Sequence, residues 1–371
     1  MHGTRIVKIL FSLAVLLCPA ASRVRASDAS ALPEETRVLI VCFPGETTDT
    51  ILAHYQKARH IPDSHVLFIT GAACGDAFWP STYDNFVRPL REKLDSLGPE
   101  SIHYIVLINA PRLTDYGGEK VSTVTFAMCA YNLKEKPEDF DKSNPCYRPG
   151  RLFKDPMPRF SHEVYSRDGY FYIVSCFEGE RAIAQIERGL LPASEGYHII
   201  DSRLGPYDER PAAYFDLDKY PYVPGFDYSA MDLKHVAVVK WFESRDKDDY
   251  LWHYQEHVYG AGDEPVVKTK SWVGWYDNTY YGKFDWQPQS YWSQVHSGNA
   301  AAMTAWEQGC TFVTAPLFEP LTWGVPQPTE LSYYIHSGYT YGEAVMYSLP
   351  RLMWAAWVCG DPLITQTRTE R

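Results

Sequence analysis

Three short, predominantly apolar runs separated by two amphipathic ones constrain this chain more than any other feature. Residues 37–43 read Arg-Val-Leu-Ile-Val-Cys-Phe, residues 66–70 form a second such run, and residues 102–108 a third. Nearly continuous apolar side chains, rich in Val and Ile, predict strands buried on both faces. Between the first two, residues 47–59 place Ile51, Leu52, Tyr55 and Ala58 at helical spacing. Between the second and third, residues 83–97 do the same and stop at Gly98-Pro99. Strand, helix, strand, helix, strand predicts a mostly parallel sheet flanked by helices. Residues 170–176, 197–201, 237–242, 271–276, 291–296 and 311–315 are further strand candidates, and 180–190 and 342–357 further helices. Residues 119–160 are polar and Pro-rich and predict a surface excursion. The turn after the first strand lacks Gly-x-Gly-x-x-Gly, which argues against a dinucleotide fold.

The first residues have the order of a secretory signal. Arg5 and Lys8 precede the apolar run 9–17, and small residues follow at Ala20, Ala21 and Ala26. The run is shorter than the ~20 residues needed to span a bilayer. Cleavage after Ala26 leaves about 345 residues. Residues 27–371 are then expected to form one α/β domain, or two lobes near 33–200 and 201–371. The expected location is secreted or periplasmic, with no membrane insertion after cleavage. A net charge of −11 without a concentrated basic segment argues against nucleic acid as partner. No Cys-x-x-Cys pair occurs, which excludes a zinc ribbon or a thioredoxin motif. Cys129 and Cys146 flank a loop-like stretch and are the best candidates for a disulfide.

Aromatic residues make up 15% of the chain and crowd its C-terminal part, as in residues 271–286. They predict either dense packing or a platform on which sugars or an extended peptide stack.

Residues 51–62, 102–112, 172–179, 309–320 and 358–362, taken in order, resemble an uncharacterised family of exported bacterial proteins. A more distant similarity is to the caspase-like cysteine peptidases of the gingipain type. It rests on the parallel sheet, on Gln294-Val-His-Ser-Gly298 as a histidine-bearing strand end, and on the late Gly360-Asp361. The resemblance implies a caspase-like sheet with His296 as general base and Cys310 as nucleophile. Glu319, or else Asp361, would orient the imidazole. The spacing departs from that pattern: Cys310 follows His296 by only 14 residues and opens its strand, while the strand end at 315–319 carries no thiol.

Other constellations compete with this dyad. His253-Tyr-Gln-Glu-His257 has the His-x-x-Glu-His order of inverted zinc peptidases. On a helix it would set His253 and His257 on one face with Glu256 beside them. Glu330 or Glu343 could supply the third ligand. Asp216, Asp218, Asp277 and Asp285 lie among aromatics, as glycoside hydrolysis would need. Arg112 and Asp115 follow the third strand, where parallel sheets bind ligands. With Trp275 and Asp277 they are the expected substrate-binding residues.

The sequence therefore predicts a secreted hydrolase, a peptidase acting on extracellular protein or glycoprotein (mucin-type included), without a cofactor. The alternatives are a zinc-dependent peptidase and a non-catalytic glycan- or protein-binding module.

Overall fold

A computed structural model describes residues 34–70, 78–136, 143–147, 157–165, 169–202, 250–254, 267–275, 284–320 and 323–366. The strands are β1 (Val38–Cys42), β2 (Val66–Phe68), β3 (Tyr104–Ile108), β4 (Leu113–Tyr116), β5 (Glu119–Ser122), β6 (Ile173–Phe177), β7 (Tyr197–Ser202), β8 (Tyr250–Tyr254), β9 (Val267–Trp275), β10 (Phe284–Val295), β11 (Phe312–Pro316) and β12 (Ala356–Gly360). The main helices are α1 (Thr48–Arg59), α2 (Arg88–Leu97), α3 (Thr123–Cys129), α4 (Ala182–Leu190), α5 (Ala300–Glu307), α6 (Pro328–His336) and α7 (Tyr341–Ser348).

Ten strands form one sheet in the order β2-β1-β3-β6-β12-β11-β10-β9-β7-β8, and β4-β5 form a separate hairpin. β1, β3, β6, β11 and β12 are buried at every position, so both faces of the sheet's middle are covered. Their Val, Ile, Ala and aromatic side chains suit such doubly covered strands. Among the described residues, strands from both sides of residue 200 share this sheet.

Parallel pairing joins β2, β1, β3 and β6, and likewise β11, β10, β9, β7 and β8. β12 lies between these groups. It runs antiparallel to β11, with Phe312 opposite Gly360 and Pro316 opposite Ala356. It meets β6 through the single facing pair Cys359–Cys176. One facing pair is too short a ladder to fix the direction of β12 against β6; the flanking contacts fix it. Trp357, near the start of β12, lies under Arg112, which also binds Glu178 just past the end of β6. A Cβ added to Gly342 would meet Ile173 at 2.5 Å and Pro362 at 2.9 Å, so the start of β6 and the chain beyond β12 lie together. β12 therefore opposes both neighbours, and the two parallel groups point the same way.

α1 shows why the sequence pattern works. Ile51, Leu52 and Tyr55 are buried on one face, and His60 ends the helix in the left-handed region at φ 52°. α1 packs on α4, and α6 on α7. α7 begins with a capping box in which Thr340 and Glu343 exchange side-chain and backbone bonds. Trp272 and Trp292 stack at 5.4 Å in the core, where burial of each large side chain contributes about 1.5–3 kcal/mol.

Several expectations are corrected. β2 is an edge strand with Phe68 54% exposed, not a buried one. Within the expected excursion 119–160, β5 leads into α3, whose seven residues are all buried. The expected helix 342–357 is the helix α7 followed by the opening of strand β12. Cys129 and Cys146 are not bridged: the described cysteines are all thiols, and Cys129 donates to Thr125 O and Phe126 O of its own helix.

Candidate functional site

The carboxyl ends of β1, β3, β6, β10 and β11 share one edge of the sheet, where ligands of parallel sheets bind. Asn109 organises its first half. It sits in the left-handed region at φ 52°, a conformation that Asn tolerates better than most residues. Its Nδ2 donates to Thr47 Oγ1 at 3.0 Å and Thr48 Oγ1 at 2.9 Å, and its Oδ1 accepts from Gly179 N at 3.4 Å. The loops after β1, β3 and β6 are thereby tied together. A Cβ at Gly45 would stand 2.8 Å from Asn109 Nδ2, so a larger residue here would have to displace the Asn109 amide.

Arg112 rises from the same edge. Its Nε donates to Glu178 Oε2 at 3.2 Å, and its terminal nitrogen donates to Oε1, a bidentate pair. Its guanidinium carbon lies 5.4 Å above the Trp357 ring. Burial works against the Arg112 charge, and the bonds and charge of Glu178 outweigh it, so its pKa rises. Beneath lie Cys176 and Cys359, facing one another across β6 and β12.

The second half of the edge lies where β10 and β11 end. Ser293 pairs with Thr314, so His296 and Ser297 emerge beside residues 317–319. Ser297 Oγ donates to Glu319 Oε2 at 2.6 Å, and both residues are exposed. His296 is half-buried next to them. The register continues to the first half, because Leu317 N donates to Ala355 O, Ser122 N to Trp354 O and Thr123 N to Arg112 O.

The expected dyad is not assembled. β10 and β11 are parallel, with Tyr291 opposite Phe312. His296 lies beyond the end of β10, and Cys310 precedes the start of β11. They are separated by about seven residues of strand, roughly 23 Å at ~3.3 Å each. Cys310 is fully buried, its thiol donates to Phe312 O at 3.3 Å, and burial pushes its pKa up to about 12. A nucleophilic thiol needs the opposite environment. Asp361 is also removed from His296. It lies beyond the far end of β12, fully buried, accepting from Tyr55 OH at 2.9 Å and from Arg59 Nε at 2.8 Å.

The other candidates scatter. His253 belongs to β8, so the helix expected to pair it with His257 is replaced by a strand; His257 itself lies outside the described residues. Glu330 is buried in the first turn of α6. Glu343 is committed to the capping box, to Phe160 N at 2.9 Å and to Arg159 at 2.9 Å. Among the described residues no group of three or more His, Cys, Asp or Glu side chains could hold a metal ion. Asp115 serves the β4–β5 hairpin, its Oδ1 accepting from Gly118 N at 3.3 Å. Trp275 ends β9, Asp285 is exposed near the start of β10, and Asp216, Asp218 and Asp277 lie outside the described residues. Trp272, Trp286 and Trp292 are at most 3% exposed, so in these the aromatic-rich region packs rather than presenting a platform.

Sequence reasoning passed over Ser297, Glu178 and Asn109. One signal could have found the first and excluded Cys310. In adjacent parallel strands joined by a crossover, the end of one strand and the start of the next lie at opposite edges.

No family model matches the chain, and no curated protein matches it. A crystal structure from Mycobacterium smegmatis is similar over 76% of this chain and 81% of its own, at 9% identity and a TM-score of 0.19, a likeness too slight to carry an argument.

Proposed function

We propose that this chain is a hydrolase, a peptidase acting on extracellular protein or glycoprotein, that works from the carboxyl edge of its sheet. Ser297 is the nucleophile and Glu319 the acceptor of its proton. His296 lines the same site, and Arg112 with Glu178 borders it. The observation that carries this reading is the 2.6 Å bond from Ser297 Oγ to Glu319 Oε2 at the paired ends of two parallel strands. A surface serine bonding a nearby glutamate is common in inert loops; position at the ligand-binding edge is what separates this one. A carboxylate within hydrogen-bond reach of a hydroxyl can take its proton as the oxygen attacks a carbonyl. Backbone N–H groups of the first turn of α5, which begins at Ala300, supply donors for the resulting oxyanion. A caspase-like architecture is part of this proposal, supported by the parallel order β2-β1-β3-β6 and a histidine at a strand end. Export is likewise proposed, on the order of residues 1–26.

The test is cleavage of unfolded casein and of a mucin-type glycoprotein by the purified chain. Ser297→Ala and Glu319→Gln should each lower kcat/KM by about 10²-fold or more. Cys310→Ala, chelator and thiol alkylator should leave the rate unchanged. Absence of cleavage, or full activity in Ser297→Ala, overturns the proposal. Loss with chelator would instead direct attention to His253 and His257.

A further inference from the structure

We propose that Cys176 and Cys359 form a cross-strand disulfide that joins β12 to β6, a modification site independent of the hydrolase reading. The two residues face each other directly on neighbouring strands. Facing residues in a sheet have Cα atoms about 4.5–5.5 Å apart, inside the 4.4–6.8 Å span of bridged cysteines. Residues that face each other on neighbouring strands project to the same side of the sheet, so the two side chains share one face. No other pair among the described cysteines is placed this way in the sheet. The thiols of Cys129 and Cys310 donate to nearby backbone carbonyls.

The local chemistry fits a bridge better than two thiols. Cys359 is fully enclosed and Cys176 nearly so. Burial, then the neighbouring Cys176, holds the Cys359 thiol well above its ordinary pKa. Thiolate chemistry is thus suppressed once the strand has docked, and the exchange takes place while β12 is closing onto β6. The oxidant is a small-molecule or protein disulfide. One cysteine thiolate attacks it to give a mixed disulfide and releases one thiol. The second cysteine then displaces the other thiol. Two protons and two electrons leave the chain, and one external disulfide becomes two thiols.

The protein is refolded from the reduced, denatured state in a buffer of oxidised and reduced glutathione. Remaining thiols are alkylated in denaturant, and the chain is digested without reduction. Protein isolated from an exporting host is mapped in the same way, so the outcome does not depend on refolding. The expected result is a linked peptide pair holding Cys176 and Cys359, about 2 Da lighter than the sum of the reduced peptides. It should be lost in Cys176→Ser and in Cys359→Ser, and kept in Cys310→Ala. Complete alkylation of both residues in either preparation, or a link from either to a different cysteine, overturns the inference.

Discussion

Asp361 is a residue whose replacement should cost stability and leave chemistry alone. Its carboxylate is fully buried and accepts from Tyr55 OH at 2.9 Å, Arg59 Nε at 2.8 Å, the terminal nitrogen of Arg59, and Leu363 N at 3.0 Å. Asp361→Asn keeps the shape and removes the charge. Arg59, whose side chain is only 14% exposed, then holds a cation without its counter-charge. Breaking a buried ion pair by removing one partner costs about 3–5 kcal/mol. The amide oxygen of Asn still accepts part of the set, which restores about 1 kcal/mol. The expected loss is therefore about 2–4 kcal/mol. Arg59→Met should cost a similar amount, because the carboxylate keeps only Tyr55 and Leu363. The double variant buries no charge, so its loss should fall short of the sum by about 1–3 kcal/mol. Urea unfolding followed by tryptophan fluorescence measures all three. A loss below about 0.5 kcal/mol for Asp361→Asn, or strict additivity, would refute the reasoning. So would loss of the proposed hydrolytic activity by an Asp361→Asn protein that remains folded, because Asp361 lies at the edge of the sheet opposite His296.

Acid should weaken the fold through His103, whose pKa falls from the ordinary 6.5 to about 3 under burial, the charge of Arg37 and the neighbouring His162. The folded-state pKa lies below the unfolded one, so stability is full above about 6.5 and declines by up to about 1.4 kcal/mol per unit as pH falls toward 3. His103→Gln should flatten the Tm–pH profile by about one proton; an unchanged slope would remove His103 from the account. Gly342→Ala should cost about 1–3 kcal/mol by overpacking, since its Cβ would stand 2.5 Å from Ile173 Cγ2; a Tm equal to wild type contradicts the close approach. Asn109→Ala should destabilise more than Asn109→Gly, because both lose the bonds to Thr47 and Thr48 while only alanine meets the roughly 1–2 kcal/mol left-handed penalty. The reverse order in thermal unfolding would show that Asn109 is not held by backbone conformation.

The parts of the fold that could be read in advance are those where one periodicity had no rival. β1 and β3 are apolar at every position and β6 at all but Ser175, and α1 and α2 close with His60 and Gly98 in left-handed or related conformations. β12 was lost because Ala-Trp-Val-Cys, a short apolar run after a helix, has no period that separates strand from helix. α3 was hidden by its surroundings, since Pro and charged residues around it masked seven buried residues in a row. The register sets His296 beside residues 317–319 and Cys310 at the opposite edge of the sheet, a separation that sequence spacing does not reveal. Spacing in sequence counts residues, whereas a parallel crossover converts 14 residues into the height of the sheet. Ser297 gave no signal because a serine between His and Gly has no distinguishing pattern until its partner on the next strand is known.

β12 occupies the middle of the sheet, yet it follows each of its neighbours in sequence. A chain that emerges amino end first, from a ribosome or through a membrane pore, must hold β6 and β11 apart until residues 356–360 arrive. Until then two apolar strand edges stand open, each a template for pairing with another chain. Closure also waits on the longest-range contacts in the sheet, which makes it a slow step. Truncation before residue 356 should therefore leave an aggregation-prone sheet with a gap at its centre, and any chaperone the chain needs would be needed there.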